Sequence, residues 1–82
     1  MSIVDTAEIY RRLTSIFRDV FDDDDLTISP ELTAASLPEW DSLQHIRLVI
    51  AAEREFALKF SASEIGTLEN VGEFAELIRR KL

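Results

Sequence analysis

Four times along this chain a short polar side chain is followed three residues later by Glu or Gln, just before apolar residues at helical spacing: Asp5 with Glu8, Asp41 with Gln44, Ser61 with Glu64 and Asn70 with Glu73. A side-chain oxygen at a helix N-cap accepts from the N–H three residues on, and the Glu or Gln there can reach back, so each pair marks a helix start. The spacing predicts a first helix over about Thr6 to Phe21, with Ile9, Leu13, Ile16, Phe17 and Val20 on one face and Val4 and Ile9 forming a hydrophobic staple. Four like charges, Asp22 to Asp25, follow where the helix dipole disfavours anions, so that helix should stop there. The second helix opens at Asp41 and runs to about Ala57. A short third one follows Ser61, and the last follows Asn70 with Val71, Phe74, Leu77 and Ile78 facing inward. Apolar residues alternate over no sustained stretch, so the expected class is all-α.

Between the first two helices lies a loop, Asp22 to Asp41, that is long for a compact domain and points to function. Pro30 and Pro38 exclude regular helix, while Ile28, Leu32, Leu37 and Trp40 are apolar anchors that can pin the loop to the bundle. With 82 residues and 46% apolar content, the chain is expected to form one domain with one modest core and no catalytic cleft between domains. There are no cysteines, so any thiol chemistry must come from an attached group. The first residues carry neither a basic leader nor an apolar signal core, and Leu48 to Ala52, the longest apolar run, is too short to span a bilayer. A cytoplasmic, monomeric protein is the expectation.

The net charge of −7 is unevenly placed: residues 1–41 hold ten acids and three bases, whereas residues 42–82 hold six of each. Such a chain repels nucleic acid and favours basic protein surfaces as partners. Arg79, Arg80 and Lys81 lie where cations complement a helix C-terminus. The aspartate run fails as an EF-hand, because a loop begun at Asp22 puts Thr27 at the obligatory glycine and Thr33 at the bidentate glutamate. It is read as an acidic docking patch or a solubilising run.

Helix two carries more apolar surface than one buried stripe needs. At 100° per residue, Leu48, Val49, Ala52 and Phe56 form one arc, and Leu43, Ile46, Ile50 and Ala57 form a second ridge beside it. Two readings stay open: both arcs buried in the bundle, or one arc in the core and the other against a partner. Arg47 and Arg54 flank the second ridge, as docking residues or as a solvated face with local Arg–Glu pairs.

At the start of that helix stands Asp41-Ser42-Leu43. A serine in a first turn is often only a cap. Here Asp41 already supplies the cap, which frees the Ser42 hydroxyl where orphan N–H groups and the dipole welcome a phosphate. A hydrolytic Ser42–His45 pair lacks support: no Gly-x-Ser-x-Gly elbow surrounds the serine, and no residue is evident to form an oxyanion hole or orient the imidazole. His45 reads as a half-buried helix residue or as a contact for a group carried on Ser42.

The segment Glu39-Trp40-Asp41-Ser42-Leu43-Gln44-His45-Ile46 resembles the acyl carrier proteins, in which the serine of Asp-Ser-Leu carries 4′-phosphopantetheine. The resemblance extends over nearly the whole chain, through Glu53-Arg54-Glu55-Phe56, the short helix around Ser61 to Ile65, and Leu68-Glu69-Asn70-Val71. It implies an antiparallel four-helix bundle with a long first loop and a short third helix. It also implies that Ser42 is modified from coenzyme A by a phosphopantetheinyl transferase contacting Asp41 and Leu43. The carrier itself makes no bonds: it holds acyl groups as thioesters for loading and processing enzymes in fatty-acid-like, polyketide or other specialised biosynthesis, with Ile46, Arg47, Ile50 and Arg54 as the partner surface. Ala51 and Ala52 would leave room for an acyl chain between helices two and three. Fatty-acid carriers usually present an acidic helix two, so Arg47 and Arg54 depart from them, while Trp40 and His45 are similar to stand-alone carriers of specialised pathways. An aminoacyl or peptidyl carrier and an unmodified helical adaptor are the alternatives.

Overall fold

In the computed structural model, which describes residues 5–82, the order is α1 (Thr6–Val20), α2 (Ser42–Phe56), α3 (Ala62–Gly66) and α4 (Val71–Lys81), with no strand among the described residues. Each helix begins one residue after its expected cap. Asp5, Asp41, Ser61 and Asn70 all accept, through a side-chain oxygen, from the N–H three residues on. Only at Ser61 does the reciprocal bond also form, with Glu64 Oε1 accepting from the Ser61 N–H at 2.8 Å. The other three are half boxes, and at two of them other donors claim the third-position side chain. Glu8 goes to Arg11 and Arg12, Glu73 accepts from the Glu69 N–H, and the Gln44 Oε1 is buried with no partner among the described residues. Val4, half of the expected staple, lies outside the described residues.

The helices end more sharply than a repulsion argument foresees. After Val20, Asp22 adopts φ 53°, its N–H donates to the Asp19 carbonyl and the Asp23 N–H donates to the Arg18 carbonyl at 3.0 Å. This is a Schellman ending, with aspartate in the left-handed seat more often held by glycine. Helix α2 ends alike: Ala57 sits at φ 55°, ψ 51°, and the Leu58 N–H reaches back to the Glu53 carbonyl at 3.1 Å. Both ends fall one residue short of the sequence expectation.

Helix α1 packs against α2 and α4. Their apolar faces bury Ile9, Leu13, Ile16 and Phe17 from α1, Leu48, Val49, Ala52 and Phe56 from α2, and Val71, Phe74, Ala75, Leu77 and Ile78 from α4. Fully burying one such side chain is worth about 1.5–3 kcal/mol. The long loop is tied down at three points, its start by the Arg18 Nε–H, which donates to the Leu26 carbonyl at 2.7 Å. Its middle caps α4, whose first N–H groups, on Val71 and Gly72, donate to the carbonyls of Leu32 (3.0 Å) and Pro30 (2.9 Å). A Cβ on Gly72 would stand 3.1 Å from the Pro30 carbonyl oxygen, so the missing side chain permits this approach. Its end is anchored by Trp40, which is buried edge-on against Phe17, with ring centroids 5.4 Å apart at 86°. Ile28, Leu32 and Leu37 pack more loosely on the same core. The loop therefore delivers the chain to the start of α2 in a fixed position.

Candidate functional site

Asp41 is the N-cap of α2: its Oδ1 accepts from the Gln44 N–H at 2.9 Å and its carbonyl from the His45 N–H at 2.9 Å. Ser42, the first residue of the helix, is exposed, and its hydroxyl makes no hydrogen bond among the described residues. The N–H groups of Ser42 and Leu43 likewise have no acceptor there. A nucleophile-bearing side chain, two orphan donors and the positive end of a fifteen-residue helix thus meet at one exposed point.

Behind Ser42, the Trp40 Nε1–H donates to the His45 Nδ1 at 3.2 Å, and the two rings stack with centroids 6.0 Å apart. His45 is half-buried, and its ring is bonded to Trp40 rather than to the Ser42 hydroxyl. Trp40 and His45 were each singled out in the sequence, yet nothing there announced that they touch. The available signal was a five-residue spacing straddling a helix start, which lets an extended residue fold back on the first turn.

A cleft of about 610 Å³ opens beside this site, with Trp40, Ser42, His45 and Ile46 on one side and Ile65, Gly66 and Leu68 on the other. It lies between the first turns of α2 and the short α3. The expectation that Ala51 and Ala52 make the room between these helices is corrected here: Ala52 is wholly buried in the core, Ala51 is half-buried, and neither lines the cleft. A second cleft of about 700 Å³, between Pro30, Leu68, Gly72 and Leu77, is ringed by glutamates and shares only Leu68 with the first.

Along α2 the two apolar arcs separate. Leu48, Val49, Ala52 and Phe56 are buried, while Leu43, Ile46 and Ile50 are 56%, 54% and 44% exposed, which excludes the reading with both arcs in the core. Ala57 is exposed as well. Arg47 and Arg54 are exposed and form no ion pair among the described residues, so the local Arg–Glu pairing considered for them is not observed. The glutamates of α2 are occupied elsewhere, Glu53 by Lys59 and the Phe60 N–H, Glu55 by Arg12. Most other cations are also paired, Arg11 and Arg12 with Glu8, Arg79 with Glu76 and Lys81 with Glu64. Hydrogen bonds from Arg11 and Arg12 hold the Glu8 carboxyl below its usual range, and for Glu64 the Ser61 N–H does so first, then Lys81. Asp22 to Asp25 are all exposed, Asp23 Oδ1 accepts from the Asp25 N–H, and no cluster suited to a metal ion occurs among the described residues. No described helix is long and apolar enough to cross a membrane.

No family model and no curated protein matches the sequence. Among solved structures, the chain is similar to the holo acyl carrier protein of Geobacter metallireducens, determined by solution NMR. The two share 40% sequence identity and a TM-score of 0.83 over 89% of this chain and 84% of that one.

Proposed function

The chain belongs to the acyl carrier protein family, and from that premise we propose that Ser42 is the attachment point of 4′-phosphopantetheine in a single carrier domain spanning residues 1–82. The observation that carries this reading is the division of labour at the start of α2, where Asp41 takes the cap and leaves the Ser42 hydroxyl exposed and without a partner. The residues fit the group. A phosphodiester on Ser42 meets the free N–H groups of Ser42 and Leu43 at the positive end of α2, a placement worth roughly 0.3–1 kcal/mol. When bound, the arm supplies the thiol that the cysteine-free chain lacks and holds acyl groups as thioesters.

This chain's own residues present and recognise. Trp40 and the loop carbonyls at Pro30 and Leu32 keep the approach to Ser42 rigid, which suits recognition by a phosphopantetheinyl transferase touching Asp41 and Leu43. Acyl-loading and acyl-processing enzymes dock on Ile46 and Ile50, with Arg47 and Arg54 at the edge. Two exposed arginines beside an apolar ridge, without an ion pair among the described residues, repel basic partner surfaces, which supports a specialised pathway over general fatty-acid synthesis. The protein works in the cytoplasm, and tethering multiplies the effective concentration of its cargo at each enzyme. Incubating the protein with coenzyme A and a broad-specificity phosphopantetheinyl transferase should add one phosphopantetheine, and Ser42→Ala should abolish the addition with helicity unchanged. Modification at Ser36, Ser61 or Ser63 instead would refute the assignment.

A further inference from the structure

The cleft beside Ser42 offers a phosphodiester no cationic side chain. Its charged residues are both acidic, Asp41 and Glu69. An anion there depends on neutral donors. The Ser42 and Leu43 N–H groups are two. The Trp40–His45 contact creates a third.

An indole N–H can only donate, so the 3.2 Å contact requires the His45 Nδ1 to be an unprotonated acceptor. A neutral imidazole whose Nδ1 accepts carries its proton on Nε2. That proton has no acceptor among the described residues, and His45 lines the same cleft as Ser42. Residues three apart on a helix share a face, with Cβ atoms about 5–6 Å apart. Trp40 is itself only 9% exposed and wedged edge-on against Phe17, so the group that orients the imidazole is fixed in the core. The arrangement has the logic of a ring whose second nitrogen is held by a buried partner so that the first meets a ligand in one orientation.

We infer that His45, locked by Trp40 as the Nε2–H tautomer, is a positioning residue that donates a hydrogen bond to the phosphodiester carried on Ser42 and orders the base of the arm. This rests on the assignment of the arm to Ser42. Charge-assisted hydrogen bonds of this kind are stronger than neutral ones, and this one supplies a donor without adding the charge that a lysine would bring to the neighbouring carboxylates.

The test uses the phosphopantetheinylated full chain, with intact mass and peptide mapping first placing the arm on Ser42. Its ³¹P resonance is then compared, at neutral pH, with that of the same protein unfolded in urea, and with His45→Phe and His45→Gln. The native resonance should be displaced from the unfolded position, His45→Phe should lose most of that displacement, and His45→Gln, which keeps an N–H donor, should retain part of it. Long-range ¹H–¹⁵N correlation should show the Nε2–H tautomer in both the unmodified and the modified protein, with Trp40→Phe admitting the other tautomer. Should that last variant fail to fold, the two His45 variants, at a half-buried position, decide the matter. Coincident ³¹P resonances in wild type and His45→Phe, or an Nδ1–H tautomer in the unmodified protein, would overturn the role of His45 while leaving the attachment at Ser42 intact. A chain that never accepts the arm overturns both.

Discussion

Replacing Ala57 with glycine should stabilise the protein. Ala57 closes α2 in the left-handed region at φ 55°, ψ 51°, where an L-residue loses roughly 1–2 kcal/mol to the clash of its Cβ with the following carbonyl. Glycine removes that cost but adds freedom to the unfolded chain, which takes back about 0.5–1 kcal/mol. Ala57 is exposed, so its methyl group contributes little burial, and the Leu58 N–H bond to the Glu53 carbonyl needs no side chain. The net gain is about 0.5–1 kcal/mol. For a domain of this size that corresponds to a melting temperature higher by roughly 2–8 °C. Thermal and urea unfolding followed by far-UV circular dichroism would read it, with Ala51→Gly inside the same helix as a control of opposite sign, costing about 1 kcal/mol. An Ala57→Gly variant no more stable than wild type would refute the left-handed ending of α2, and with it the path by which the chain turns toward α3.

Phe56 is 6% exposed and has the Arg12 guanidinium 5.6 Å above its ring, so Phe56→Ala should cost about 3–5 kcal/mol by urea denaturation, most of the stability a small domain possesses; a loss below about 1 kcal/mol would remove it from the core. Reversing Arg47 and Arg54 together to glutamate should raise the activity of the modified protein with a generic fatty-acid-pathway acyltransferase and lower it with the native loading enzyme. The gain should shrink at high salt, since exposed charges are screened within about 8–10 Å. Steady-state kinetics unchanged at low salt would move attention to Asp22–Asp25. The Glu64 carboxyl is held below its ordinary 4.5 by the Ser61 N–H and then by Lys81, so it contributes stability above that value that is lost as pH falls through the lower folded one. NMR shifts of α3 should therefore move in acid, and Glu64→Gln should remove that acid-sensitive component.

The helices were legible because their signals are local. A cap oxygen, an apolar residue every three or four positions and a breaker lie within a few residues of one another, and all four starts fell where Asp5, Asp41, Ser61 and Asn70 put them. The split of α2 into two apolar arcs was legible as geometry, with Ile46 and Ile50 on the outer one, but whether the bundle would bury both was not, since that depends on how the other helices pack. Less visible still were features set by backbone conformation. Asp22 and Ala57 carry no mark of a left-handed angle, and the sequence read the aspartates by charge alone. The capping of α4 by Leu32 and Pro30 joins segments some forty residues apart through main-chain atoms, which side-chain patterns do not encode. The cleft was displaced for a related reason: Ala51 and Ala52 are small, but small residues in a helix draw a neighbour closer rather than leaving a void. At the site itself, Asp41, Ser42 and Leu43 stood out in the sequence, whereas the bond between Trp40 and His45 depends on the loop's return to the bundle.

The most direct test of the carrier reading is the intact mass of the protein purified from its own host, followed by peptide mapping. A mass increased by one phosphopantetheine, with or without a thioester-linked acyl group released by hydroxylamine, and mapped to Ser42, is the predicted result. A chain recovered at its unmodified mass under conditions where the host's other carriers are fully modified, or a modification mapped to any other serine, would contradict it.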